Sequence, residues 1–297
     1  MINAMSIALQ NSVDTNLSVS GIFSNSHFKR VISNGRSKFI DTKIEKYVPF
    51  LGLNKDATRK DALEAFYSYL LSEYRCEYVY KNFITKNILL GRHSLNTSTL
   101  LNEFRVGSSL ADLVLINAKS VVYEIKTELD TPERLEDQLT DYQKAFPNIY
   151  LVTHHSLIDK YLSILEDENI GLIALTDKFH LSVIRKAKYN PEHLEIITMF
   201  KALRKEEYSN VIKEVFGELP DVPNMYYFKE CFELAEQIEP ENFHRLMSNE
   251  LKKRKPKETE PIQSNLLPVF LSNICLTIDP TANQYDRLFK YLKTKIN

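Results

Sequence analysis

Hydrophobic positions fall into three regimes along the chain. Over residues 1–60 the sequence is polar at first. Phe28, Val31 and Ile32, then Phe39, Ile40, Ile44, Tyr47 and Val48, recur at roughly helical spacing. This predicts a loosely held tip followed by short helices. From Thr58 the signals sharpen. Thr58 and Asp61 form a capping-box pattern with Asp in place of the usual Glu, so a helix is expected through Ala65 and Leu70. A second helix, or a continuation, should run from about Ser72 to Leu90 and stop at Gly91, a natural helix terminator.

Strand signals come next. Ser98 to Val106 alternates loosely and ends at Gly107. Ala111 to Ile116 and Ser120 to Lys126 flank the turn-like Asn117-Ala118-Lys119, predicting an antiparallel hairpin with the turn centred on residues 118 and 119. Thr131-Pro132 reads as a helix start, Thr as N-cap and Pro at the first helical position. Leu135, Leu139, Tyr142 and Phe146 then form one apolar stripe, which Pro147 ends. Ile149 to Thr153 is a short strand, Leu157 to Leu165 a helix, Ile170 to Leu175 a buried strand and Phe179 to Ile184 an edge strand.

Beyond residue 188 the period is helical. Leu194–Leu203, Tyr208–Phe216, Tyr226–Ile238 and Phe243–Leu251 are the candidates. The basic run Lys252 to Lys257 reads as an exposed linker, and a final helix is expected over Asn283–Lys293. The division this implies is an extension over 1–60, an α/β core over 61–187 and a helical region over 188–297.

Composition narrows the picture. At 297 residues, 43% hydrophobic and 26% charged, the chain is an ordinary globular sequence. It has no apolar run of membrane-spanning length, and its polar start lacks the features of a secretory signal. Cys76, Cys231 and Cys275 are odd in number and far apart, which fits a reducing, cytoplasmic setting. The 7 histidines show no paired ligand spacing. Neighbouring His154 and His155 would point apart on an extended chain, so a His/Cys metal centre is not expected. A net charge of -1 weighs mildly against a nucleic-acid partner, whose phosphates favour basic proteins. Any basic surface must be local.

The hairpin carries the candidate chemistry. Asp112 lies near the start of its first strand, and Glu124 and Lys126 lie two residues apart near the end of the second, on one face. With the expected turn, Asp112 falls almost opposite Ile125. The intervening Leu113, Val114, Leu115, Val121 and Val122 are too apolar for a solvated surface. Two acids and a lysine there carry a desolvation cost that a divalent cation would offset. Mg²⁺ prefers carboxylate oxygen, acidifies a bound water and draws charge from a phosphate. A lysine can orient the attacking water and balance the growing negative charge. The plain alternative is a surface ion-pair cluster.

These residues resemble the PD-(D/E)xK nuclease signature, with Ala111 where the nominal Pro would stand. An acid-x-Lys triplet alone says little, since Asp41-Thr42-Lys43 and Glu250-Leu251-Lys252 also satisfy it; the hairpin context decides. Gln138 and Tyr142 resemble the Gln-xxx-Tyr motif of the RecB-like branch. The segments around Glu77–Asn82, Gly91-Arg92-His93-Ser94 and Tyr123–Glu128 resemble a bacterial family of PD-(D/E)xK-like proteins. The resemblance covers roughly the middle of the chain.

It implies a restriction-endonuclease-like core, a mixed sheet flanked by helices, with helical N- and C-terminal extensions. It also implies Mg²⁺- or Mn²⁺-dependent hydrolysis of DNA, with RNA as a second candidate substrate, giving 5′-phosphate and 3′-hydroxyl ends. Asp112, Glu124 and Lys126 would form the catalytic triad, helped by Gln138. Asp112 and Glu124 would hold the metal together with Glu77, which shares a helical stripe with Tyr80, Ile84 and Ile88. Glu77 has an equally simple reading as an i,i+4 partner of Lys81. Arg105 is a candidate phosphate contact or a salt-bridge partner of Glu103, and Tyr142 a candidate substrate contact or core residue. Glu128 is expected on a solvated loop. A homodimer or a partner protein would use the helical flanks, and defence against foreign DNA or mobile-element biology is the expected setting. The alternative is a nuclease-like fold that binds nucleic acid or protein without cutting.

Overall fold

The computed structural model describes residues 13–91, 95–264 and 266–296. The expected loose tip at residues 1–12, and Arg92-His93-Ser94, lie outside the described residues. The chain divides into two compact units, Met1–Leu90 with Pro256–Asn297, and Gly91–Lys255.

The first unit opens with α1 (Val13–Ser20), α2 (Asn25–Asn34), α3 (Lys38–Tyr47), α4 (Arg59–Glu73) and α5 (Glu77–Ile84), the last running on as a π-helical turn over Thr85–Leu90. The capping box at Thr58 forms: its backbone N–H donates to Asp61 Oδ2 at 2.7 Å, and Asp61 N–H donates to Thr58 Oγ1 at 3.4 Å. The single long helix considered for 58–90 is interrupted at Tyr74-Arg75-Cys76, where the Cys76 N–H turns back to the Tyr74 carbonyl.

The second unit is built on a six-stranded sheet in simple sequential order: β1 (Thr99–Val106), β2 (Ser109–Ile116), β3 (Ser120–Lys126), β4 (Ile149–His154), β5 (Gly171–Leu175) and β6 (Leu181–Arg185). β1–β2–β3 form an antiparallel meander, β3–β4–β5 are parallel, and β6 returns antiparallel. The architecture is thus mixed α/β with helices flanking a mixed sheet. β3, β4 and β5 are buried along almost their whole length, as their near-continuous apolar runs require. β6 is a largely exposed edge strand. Gly171 has to be glycine, because a Cβ there would lie 2.4 Å from the Tyr150 ring and 2.6 Å from the Ala187 backbone.

Helices α6 (Leu135–Gln143) and α7 (Ile158–Ile164) supply the crossovers between the parallel strands. The helix expected to start at Thr131-Pro132 begins later, at Leu135. Asp130 is the reason: its carboxylate accepts from the Thr127 N–H at 2.7 Å and the Thr127 hydroxyl at 2.8 Å, holding a turn that delays the helix. Helices α8 (Ile196–Ala202), α9 (Lys205–Phe216), α10 (Asn224–Ala235) and α11 (Pro240–Lys252) complete this unit. The chain then returns to the first unit through α12 (Glu260–Gln263), α13 (Ser272–Ile278) and α14 (Ala282–Lys293).

The sequence placed its boundaries near 60 and 188, and the observed division differs for two physical reasons. Met199, Phe200, Val211, Ile212, Phe243 and Leu251 share one buried cluster with Val114, Val122 and Leu151 of the sheet, so α8–α11 are part of its core. The last residues fold back on the start of α4: Thr58 bridges Lys295, and Ile296 N–H donates to the Ala57 carbonyl. The supposed basic linker is also partly structural. Arg254 is mostly buried, donates to both carboxylate oxygens of Glu207 at 2.6 and 2.5 Å, and lies over the Phe104 ring. No helix among the described residues is long and apolar enough to cross a membrane.

Candidate functional site

The β2–β3 ladder decides how the acids meet. Its last pair at the turn end is Ile116↔Ser120, so the loop holds Asn117, Ala118 and Lys119, closed by the Asn117 N–H to the Lys119 carbonyl and Lys119 N–H to Asn117 Oδ1. A loop centred on Ala118 shifts the register by one from the expectation. At the far end the ladder stops at Leu113↔Tyr123, and one further step sets Asp112 across from Glu124, not Ile125. The backbone has left the ladder there, and the Asp112 side chain replaces it: Oδ2 accepts from the Ile125 N–H at 2.8 Å. On the other edge of β2, the position facing Asp112 is Glu103, whose φ of 51° is left-handed. β1 is therefore locally distorted beside this acid.

Glu124 is 2% exposed and engaged at both oxygens. Lys126 Nζ donates to Oε1 at 2.9 Å, and the Tyr142 hydroxyl lies 2.8 Å from Oε2. Lys126 Nζ donates also to Gln138 Oε1 at 2.7 Å. α6 makes this convergence: Gln138 and Tyr142, one turn apart, face the strands through the same stripe that buries Leu135 and Leu139. Burial, then the charge of Glu124, its hydrogen bond and the charge of Asp112 push the Tyr142 hydroxyl pKa far up. It therefore acts as a neutral donor.

Asp112, Glu124, Lys126 and Gln138 are thus brought together. Tyr142 joins them from the core: it is fully buried, so its hydroxyl meets Glu124 instead of solvent. Arg105 is exposed on β1, opposite Leu110. Glu77 belongs to the other unit, starts α5 and pairs with Lys81 Nζ at 2.5 Å, its side chain half exposed. The i,i+4 reading of Glu77 is the one its contacts match. Glu128 is not simply solvated, since its Oε1 lies 3.5 Å from His154 Nδ1.

Sequence reasoning missed one cluster. His154, His155 and Asp177 offer donor atoms that all lie within 4.8 Å of one another, the one such group of three or more among the described residues. The expectation that adjacent histidines point apart fails because β4 ends at His154 and a 3₁₀ turn begins at His155. The rings then meet with centroids 4.3 Å apart. Asp177, on the β5–β6 turn, could not be linked to them by spacing.

Comparison with known proteins adds a family. The sequence family described as bacteriophage P4 protein cII matches residues 71–266, more than half of the chain. The chain belongs to that family. Its matched span contains the whole site, from Asp112 to Tyr142, and all of the sheet. Among curated proteins none matches. A solved structure, a protein of unknown function from Silicibacter pomeroyi, is similar at 12% identity over 41% of this chain and 81% of that one, with a TM-score of 0.27. A likeness so weak carries no argument about fold or function.

Proposed function

We propose that the chain is a Mg²⁺- or Mn²⁺-dependent nuclease of the PD-(D/E)xK type that hydrolyses DNA phosphodiester bonds. The observation that carries this reading is that Lys126 is hydrogen-bonded to Glu124 while Asp112, one step beyond the last β2–β3 pair, accepts from the N–H of Ile125, the residue between Glu124 and Lys126. The order meander, helix α6, parallel strand β4 is the order that such a restriction-endonuclease-like core requires. Membership of a family named for a bacteriophage protein accords with a role at foreign or mobile DNA.

The donor set fits a hard cation, since carboxylate oxygens are what Mg²⁺ prefers. Asp112 and Glu124 would hold the ion, which when bound supplies charge neutralisation at the phosphate and acidifies a water. Lys126 orients the attacking water and offsets charge growing on the phosphate oxygens. Gln138 fixes the Lys126 ammonium, and Tyr142 fixes Glu124. Water oxygen bonds to phosphorus, the bond to the 3′ oxygen breaks, and that oxygen takes the proton, leaving 5′-phosphate and 3′-hydroxyl ends. Arg105, exposed on β1, would contact backbone phosphate. Glu77, paired with Lys81 in the other unit, is left out of this set.

A second reading, a nucleic-acid or protein-binding module that does not cut, is favoured by one observation. Lys126 is already tied to both Glu124 and Gln138, as a purely structural cluster would be. Incubation with linear, circular and single-stranded DNA and with RNA, plus Mg²⁺ or Mn²⁺, separates the two. The nuclease reading expects metal-dependent cleavage that drops at least about a hundredfold in Lys126→Met, the scale of losing one group that stabilises transition-state charge. Equal cleavage in that variant, or binding without cleavage, goes against it.

A further inference from the structure

We propose that His154, His155 and Asp177 form a Zn²⁺-binding site, separate from the carboxylate pair, in which three protein ligands leave one position open to water or an oxyanion. The distances carry the case. His154 Nε2 lies 3.1 Å from His155 Nδ1 and 3.2 Å from Asp177 Oδ1, and His155 Nε2 lies 3.4 Å from Asp177 Oδ2. A tetrahedral Zn²⁺ with bonds of about 2.0–2.1 Å requires ligand–ligand edges of about 3.3 Å. One donor atom from each residue lies within 4.8 Å of the other two, so side-chain adjustments alone bring the three to that spacing.

Two neutral imidazoles and one carboxylate form the borderline N/O set that suits Zn²⁺ better than Mg²⁺.

The surroundings prepare His154 as a ligand. It is 4% exposed, and its Nδ1 lies 2.8 Å from Ser156 Oγ with Glu128 Oε1 behind at 3.5 Å. Nδ1 also lies 3.4 Å from the Ser156 N–H; the tautomer that gives up that contact and donates from Nδ1 to Ser156 Oγ or Glu128 leaves the Nε2 lone pair directed at the cluster. This is the carboxylate-backed arrangement by which proteins fix a metal-binding tautomer. His155 and Asp177 are open to solvent, with side chains 46% and 66% exposed, so an ion has a route in. The site would tie the turn after β4 to the β5–β6 turn.

It is independent of the nuclease reading. Thr153 stands beside Lys126 in the β3–β4 register, so the next residue, His154, projects to the opposite face of the sheet from Lys126 and Glu124.

The test uses the full chain stripped with a chelator and dialysed, titrated with Zn²⁺ by calorimetry and with Co²⁺ by visible absorption. The expected result is one equivalent of Zn²⁺ and intense Co²⁺ bands of a four-coordinate centre. His155→Ala and Asp177→Ala, both at solvent-exposed side chains, should each weaken binding at least tenfold, and the pair of changes should abolish the bands. Wild-type protein without those bands, or with a Zn²⁺ affinity equal to that of the double variant, overturns the proposal. DNA cleavage with Mg²⁺ in the double variant should match wild type, so failure of either reading leaves the other standing.

Discussion

The carboxylate of Asp112 accepts a hydrogen bond from the backbone N–H of Ile125 at 2.8 Å, closing the β2–β3 ladder with a side chain where the backbone no longer pairs. Asp112→Ala removes the acceptor and should cost about 1–3 kcal/mol of stability. Asp112→Asn retains a side-chain oxygen and should cost less than half of that. Urea denaturation of both variants checks the order. Equal losses would mean that this hydrogen bond does not hold the strands.

Lys126 and Glu124 are paired where the lysine side chain is 11% and the glutamate 2% exposed. Breaking such a pair from one side leaves a buried charge behind, so Lys126→Met should destabilise by about 3–5 kcal/mol. Glu124→Gln in the same chain should restore part of the loss, because no uncompensated charge remains. A double-mutant cycle by denaturation measures this. A double variant less stable than Lys126→Met would refute the pairing argument.

Tyr142→Phe keeps the ring in the core and removes a donor to Glu124. The expected cost is about 1–3 kcal/mol, the desolvation penalty of a buried acceptor that loses a partner. Thermal denaturation reads it directly, and an unchanged midpoint would mean that the hydroxyl's contacts with Glu124 and with the Leu110 carbonyl, 3.0 Å away, do not stabilise the fold.

Much of this was legible because burial writes itself into local pattern. β2, β3, β4 and β5 show as apolar runs bounded by turn residues, and Asp112 on β2 and Glu124 and Lys126 on β3 stand out as charges interrupting them. Tyr142 was legible as part of an apolar helical stripe, and Gln138 only through the resemblance to the Gln-xxx-Tyr motif. The register was not, since it hangs on whether the hairpin loop centres on Ala118 or one half-step later. The start of α6 was hidden because Asp130 and Thr127 form their own turn before Thr131-Pro132 can begin a helix. The His154–His155–Asp177 cluster was hidden more deeply: it depends on the backbone leaving extended geometry at His155 and on a residue from a distant turn.

His244 predicts a pH dependence. It is buried, its Nε2 lies 2.6 Å from Ser120 Oγ, and burial pushes its pKa down from 6.5 to about 4 against a weaker opposing pull from Glu241. The unfolded chain takes up the proton near pH 6.5, whereas the folded chain resists until about pH 4. Its contribution is therefore fully present above pH 6.5 and declines between pH 6.5 and about 4, by about 1.4 kcal/mol per pH unit. Denaturation midpoints across that range should fall more steeply for wild type than for His244→Gln. Parallel curves would contradict the assignment.

The cation is the point on which the nuclease account turns. Thermal denaturation with increasing Mg²⁺ or Mn²⁺, in wild type and in Asp112→Asn, addresses it without any substrate. A cation held by Asp112 and Glu124 raises the midpoint with metal concentration in wild type, by the mass action of a ligand that binds only the folded chain, and leaves it flat in Asp112→Asn. A wild-type midpoint indifferent to both ions, or an equal rise in the variant, would contradict it.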